Sequence, residues 1–192
     1  PNALADFNKC IELDSQNHLA YLFRGKFYEE IGEFNHALED YNTAINLNPL
    51  FEDAYLHRGM LYDEQKLAHK ALPDYTQLLK INPKNIDTYL LRGQLFLEEG
   101  LLNNAKEDFN KAIALSPNDP DCYLYRSEYY LEIKNKTLAL NDISKAIQLN
   151  PKDAAAYLIK ADLLKDESPE KSNEYLIIAK QLTLEESRKK NV

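Results

Sequence analysis

A cation recurs at one spacing along the chain: Arg24, Arg58, Arg92, Arg126 and Lys160 stand 34 residues apart, each inside an otherwise apolar strip opening on a Tyr-Leu pair. A row of guanidinium groups can hold phosphate or a substrate carboxylate, or it can be neutralised within the protein. The same period supplies Asp6, Asp40, Asp74, Asp108 and Asp142. A charge among apolar neighbours needs a partner, so the matched acids point to internal ion pairs rather than to a ligand. Pairing within a repeat leaves Asp6 and Lys160 over, whereas pairing each acid with the next repeat's cation uses all five of each. The expected ladder therefore joins Asp6 to Arg24, Asp40 to Arg58, Asp74 to Arg92, Asp108 to Arg126 and Asp142 to Lys160, stitching repeat to repeat.

Other reactive side chains form no constellation. His18, His36, His57 and His69 give no metal-binding pair on one helical turn, and no glycine-rich phosphate loop occurs. No carboxylate is singled out by an apolar setting that would raise its pKa for acid catalysis. No catalytic residue, metal site or cofactor is expected, and the chain reads as a non-enzyme. Cys10 and Cys122 fall where other repeats carry inward-packing residues. Buried free thiols in a reducing, cytoplasmic compartment are the expectation. Asn135-Lys136-Thr137 fits a glycosylation pattern, but it lies at a turn where Thr137 would cap the next helix.

The chain has 192 residues, 44% of them hydrophobic, and a net charge of −8. That is enough apolar material for a sizeable core. The negative field disfavours nucleic acid and anionic membranes as partners and favours basic or cationic-amphipathic ones. No apolar run of 18 residues occurs, and no hydrophobic segment follows a basic start, so neither a membrane span nor a signal peptide is visible. The start at Pro1-Asn2, in mid-repeat, reads as a fragment of a longer protein.

The elements that must carry these residues follow from the same period. A small residue recurs at Gly25, Gly59, Gly93, Ser127 and Ala161, followed three residues later by Tyr28, Tyr62, Phe96, Tyr130 and Leu164. Then come Ala37, Ala71, Ala105 and Ala139; Tyr41, Tyr75, Phe109 and Ile143; Ala44, Leu78, Ala112 and Ala146; and the closing Pro49, Pro83, Pro117 and Pro151. Apolar residues at steps of three and four indicate amphipathic helices, Gly32 and Gly100 mark a turn inside the unit, and each proline ends it. Each unit is thus helix, turn, helix.

Tyrosine, small, aromatic, alanine, aromatic, small and proline at these offsets resemble the tetratricopeptide repeat. The resemblance implies an all-α fold, a right-handed α-α superhelix of about five 34-residue repeats in a single domain over 1–192. Residues 1–17 form a half repeat with the second helix only; 18–51, 52–85, 86–119 and 120–153 are full repeats; 154–187 is degenerate and 188–192 a tail. In the last repeat the second helix is expected to run from near Pro169 toward Arg188 and shield the end of the stack. The family more often has leucine where this chain repeats a cation.

The resemblance also places the first helix of each repeat on an inner, concave face along which peptide segments lie. Carried over, Leu22, Leu56, Leu90, Leu124 and Leu158 form an apolar floor, with His57, Leu91 and Tyr125 beside it and Lys26, Met60, Gln94 and Glu128 one turn further on. Glu29, Asp53, Asp87, Glu98 and Asp121 make the surroundings acidic. The expected function is an adaptor that binds a basic or amphipathic peptide in an acidic, leucine-lined groove, charge setting encounter and apolar anchors setting hold. The alternative is a structural scaffold assembling through its ends or convex face, with self-association through the open half repeat at Leu4, Phe7 and Ile11. Some family members grip a chaperone's C-terminal carboxylate with lysines and asparagines. Here the matching places hold Leu22, Lys26, His57, Asp87 and Leu91, so that partner is not expected.

Overall fold

The computed structural model describes residues 3–190, and every regular element among them is an α-helix. In chain order these are α1 (Ala3–Leu13), α2 (His18–Glu30), α3 (Phe34–Leu47), α4 (Glu52–Glu64), α5 (Ala68–Ile81), α6 (Ile86–Glu98), α7 (Leu102–Leu115), α8 (Pro120–Glu132), α9 (Lys136–Leu149), α10 (Ala154–Leu164) and α11 (Pro169–Lys190). The fold class is all-α, built of helical hairpins. The chain divides into two compact units, Pro1–Leu95 and Phe96–Val192.

Local chemistry sets the helix ends. Asn17, Asp119, Asn135 and Asp153 cap α2, α8, α9 and α10 through their side chains, accepting from backbone N–H groups that the first turn leaves unpaired. At 135–137 the cap is therefore Asn135, accepting from Leu138 N; Thr137 is an exposed residue inside α9, not the cap. The turns inside the hairpins share one geometry. Glu33 N donates to Tyr28 O, Leu67 N to Tyr62 O, Leu101 N to Phe96 O and Asn135 N to Tyr130 O, each at 2.8 Å. Each of these turns requires one left-handed residue, and the chain places Gly32, Lys66, Gly100 and Lys134 there, with φ of 80°, 59°, 72° and 58°.

In the first unit α2 packs on α3 and α4 on α5, around Leu22, Tyr41, Ala44, Ala54, Tyr55, Leu61 and Leu78. The small position works by close approach. A Cβ on Gly25 would stand 2.7 Å from Tyr41 Cε1, and one on Gly59 2.8 Å from Tyr75 Cε1. In the second unit, where the residue opposite shrinks to Ile143, the small position is Ser127, whose hydroxyl turns back to Leu124 O at 2.6 Å. Phe109, Ala112, Cys122, Tyr129, Ala139, Ile143 and Ala146 are buried there. The last hairpin is fastened by Ser172 Oγ donating to Ala161 O at 2.7 Å.

Two expectations about burial change. Cys122 is buried, but Cys10 is exposed. Cys10 sits on α1, which packs on α2 but has no first helix before it among the described residues, so the cover that a repeat's own first helix provides is missing. Leu22 and Leu90 are only 2% and 5% exposed. Both belong to the core, Leu22 in a cluster with Ala37, Tyr41 and Ala44 of α3, because one turn of a helix offers more apolar positions than its open face can take.

Candidate interaction surface

The repeated cations are paired, but in a different register from the expected ladder. Arg24 donates from Nε and Nη2 to Asp40 at 2.8 and 2.7 Å, Arg58 to Asp74 at 2.8 and 2.6 Å, and Arg126 to Asp142 at 2.7 and 2.9 Å. Each fork thus grips the acid of its own repeat, 16 residues on, and not the acid of the repeat before. The expected pairs Asp6–Arg24, Asp40–Arg58, Asp74–Arg92, Asp108–Arg126 and Asp142–Lys160 are corrected accordingly. The reason is geometric: the two helices of a hairpin approach most closely at the small position, and the cation adjoins it.

The step between repeats is made by a neutral residue instead. Nη1 of Arg24 donates to Asn8 Oδ1 at 2.7 Å, and that of Arg126 to Asn110 Oδ1 at 2.9 Å. Arg58 reaches Asn42, and Arg92 reaches Thr76 Oγ1 at 3.1 Å. These acceptors lie two residues after each repeated aspartate, at the same period, a signal present in the sequence that counting charges passed over. Asp6, with no cation sixteen residues before it among the described residues, is exposed. Asp108 is buried. Lys160 lies over the Tyr175 ring, its Nζ 4.6 Å from the centroid, where a cation–π contact takes the place of a carboxylate.

These pairs raise the guanidinium pKa of Arg24 and Arg126, chiefly through the bonds to Asp40 and Asp142, against desolvation. At Arg58 desolvation is the largest influence, yet the bond and charge of Asp74 outweigh it and the net direction is again upward. The arginines are thus held by the fold and are not offered to a ligand.

What the first helices do present is acidic and partly aromatic. In the first unit Lys26, Asp53, Met60 and Asp87 are exposed, while Glu29, Leu56, His57, Leu91 and Gln94 are half-buried. In the second unit Glu98, Asp121 and Glu128 are exposed and Leu124 and Tyr125 half-buried. Of the leucine row, Leu158 stands open at 48%. A continuous leucine floor is therefore absent from the first unit, where Leu22 and Leu90 are core.

In its place the first unit has a cleft of about 790 Å³. Its walls are Phe7 of α1, Phe23 and Phe27 of α2 and Phe34 of α3, and its rim carries Lys26, Glu29, Glu30, His57 and Glu64. Phe23 is 49% exposed and Phe34 36%. Phe7 and Phe27 meet with ring centroids 6.4 Å apart. Phe27 and Phe34 were not legible as surface residues: Phe27 takes the place filled by buried Leu61, Leu95 and Tyr129 elsewhere. Three carboxylates against one lysine make the rim negative.

Two groups beside the cleft are tuned by it. The Tyr41 hydroxyl donates to Glu29, and burial, then that bond, push its pKa far up. The corresponding Tyr75 hydroxyl is buried without a hydrogen-bond partner. The residue at the place of Glu29 is there Asp63, one methylene shorter. His57 stacks on Tyr41 with centroids 5.9 Å apart, and burial, aided by Lys26 and opposed by Glu29 and Asp53, lowers its pKa below the ordinary 6.5. Among the described residues no three His, Cys, Asp or Glu side chains are grouped as metal ligands, and no helix is long and apolar enough to cross a membrane.

Comparison with known proteins gives one consistent likeness. The family described as tetratricopeptide repeat matches residues 52–85 and 86–119, and a second, described as TPR repeat, matches residues 25–66. No curated protein sequence gives a match. Among solved structures, YrrB, described as a TPR protein with an unusual peptide-binding site, is 20% identical over 92% of this chain and 91% of its own, with a TM-score of 0.69. MamA is 18% identical over 85% of this chain and 96% of its own, at 0.74. PilF of Pseudomonas aeruginosa is 20% identical over 85% and 75%, at 0.75.

Proposed function

This chain belongs to the tetratricopeptide-repeat family, and from that premise we propose that it is a non-catalytic adaptor whose first helices hold a basic, amphipathic segment of a partner protein. Repeats of this family are protein-interaction and scaffold modules. The finer reading rests on one observation, the meeting of exposed aromatic rings with carboxylates on the first-helix side of the first unit. Phenylalanine faces receive apolar anchors and attract cations, while Glu30, Asp53, Glu64 and Asp87 select lysine or arginine beside those anchors. A helix-in-groove or extended docking mode needs nothing more. The phosphate- and carboxylate-binding alternatives would call on the repeated arginines, and the forks of Arg24, Arg58 and Arg126 are occupied within the fold.

The test is fluorescence anisotropy with a labelled helical peptide carrying leucines at helical spacing and lysines between them. Binding is expected, falling steeply with added salt because exposed charges are screened within about 10 Å at 0.1 M. Replacing Asp53 and Asp87 by lysine, both exposed and outside the cleft, should weaken it by at least about tenfold. Equal affinity for an acidic peptide of the same apolar pattern would refute the reading.

A further inference from the structure

We propose that the cleft between α1, α2 and α3 receives the C-terminal part of α11 from a second copy of the chain, giving head-to-tail association. This rests on the first-helix side being a docking surface, and it names the occupant of one end of that surface.

The occupant is chosen by what α11 exposes. Ala179 and Ser172 are 1% and 5% exposed and fix the buried side of the helix. On the opposite side stand Ile177, 59% exposed, and Leu184, 50% exposed, with Lys180 and Arg188 along the same stripe. At 100° per residue these four fall within about one quarter of the helix circumference. Thr183 lies beside Asn150–Ala155, where α10 begins, so the turns after it run past the end of their own hairpin. Leu184 and Arg188 therefore stand on the projecting turns, with Ile177 and Lys180 on the same stripe just before them.

The cleft offers the complement. Phe23 and Phe34 are open, Phe7 and Phe27 lie behind them, and the rim holds Glu29, Glu30 and Glu64 against Lys26. Its volume of about 790 Å³ accommodates several side chains of one helix face. Aliphatic groups entering among the rings leave water, and the cations find carboxylates and ring faces. The two patches differ, so each contact is heterologous: repeated from copy to copy it builds closed assemblies, a reciprocal pair included, or open chains.

The experiment is light scattering of the full chain over a concentration series at low and high salt, together with anisotropy of a labelled peptide spanning residues 173–190. Expected are species larger than the monomer at low salt, their loss at high salt, and saturable binding of the peptide. Phe23→Glu and Leu184→Glu should each weaken association by at least about tenfold. Glu30→Lys and Arg188→Glu should each weaken it and together in one chain restore part of it. A chain that is monomeric throughout and ignores the peptide overturns the proposal, as does association untouched by Phe23→Glu and Leu184→Glu. If the leucine–lysine peptide binds and the 173–190 peptide does not, the docking surface stands and this occupant is wrong. If neither binds, both readings fall.

Discussion

Arg58 spreads its donors over two repeats: Nε and Nη2 close on Asp74, Nη1 reaches Asn42, and the Tyr55 ring lies beneath with its centroid 5.7 Å from Cζ. The unequal burial of the partners ranks these contacts. Asp74 has 5% of its side chain exposed and Arg58 18%, so removing the acid strands a cation that water barely reaches. Asp74→Ala is expected to cost about 3 kcal/mol in urea unfolding. Asn42→Ala, which removes one bond to a neutral acceptor, should cost about 1.5 kcal/mol or less. The reverse order would mean that the link between repeats, and not the clamp within one, carries the arginine's contribution. Since the forks are spent on this clamp, the residues left for recognition are the acids and rings of the open side.

At the scale of the element, the hairpin turn matters most. Gly32 and Gly100 take left-handed backbone at no steric expense, whereas Lys66 and Lys134 hold φ near 59° and 58° with a Cβ present. That conformation costs an L-residue roughly 1–2 kcal/mol, part of which glycine returns as greater freedom in the unfolded chain. Lys66→Gly should therefore raise stability by up to about 1 kcal/mol, read as a higher thermal midpoint. An unchanged or lower midpoint would show that the lysine side chain compensates. The same element explains why counting turn glycines finds only alternate hairpins: the closing bond from residue 67 to Tyr62 O, and its equivalents, demands a dihedral angle rather than a residue type.

For the whole molecule, which carries a net charge of −8, the half-buried His57 ties stability to pH. Burial lowers the pKa of His57 in the fold below the 6.5 of the free side chain. The unfolded chain then takes up a proton that the folded one refuses, so this stability is complete above about pH 6.5 and is lost as pH falls below it. His57→Gln should flatten the fall of the thermal midpoint between about pH 7 and 5; an unchanged slope would assign the fall to other groups. The sequence by itself determined the helical hairpins, their period and the family, because a 34-residue repeat of small, aromatic and proline positions has one way to bury its apolar stripes. It also determined that cations such as Arg24, Arg58 and Arg126 would be neutralised within the protein, since charge among apolar neighbours cannot stay unpaired. Only the tertiary structure decided which acid each cation holds, because residues 16 apart and 18 apart are equally regular in the sequence and differ only in how closely their helices meet. It likewise decided that Leu22 and Leu90 are core while Phe23 and Phe34 are open, for a helix that is apolar on several sides is oriented by its neighbours and not by its own pattern.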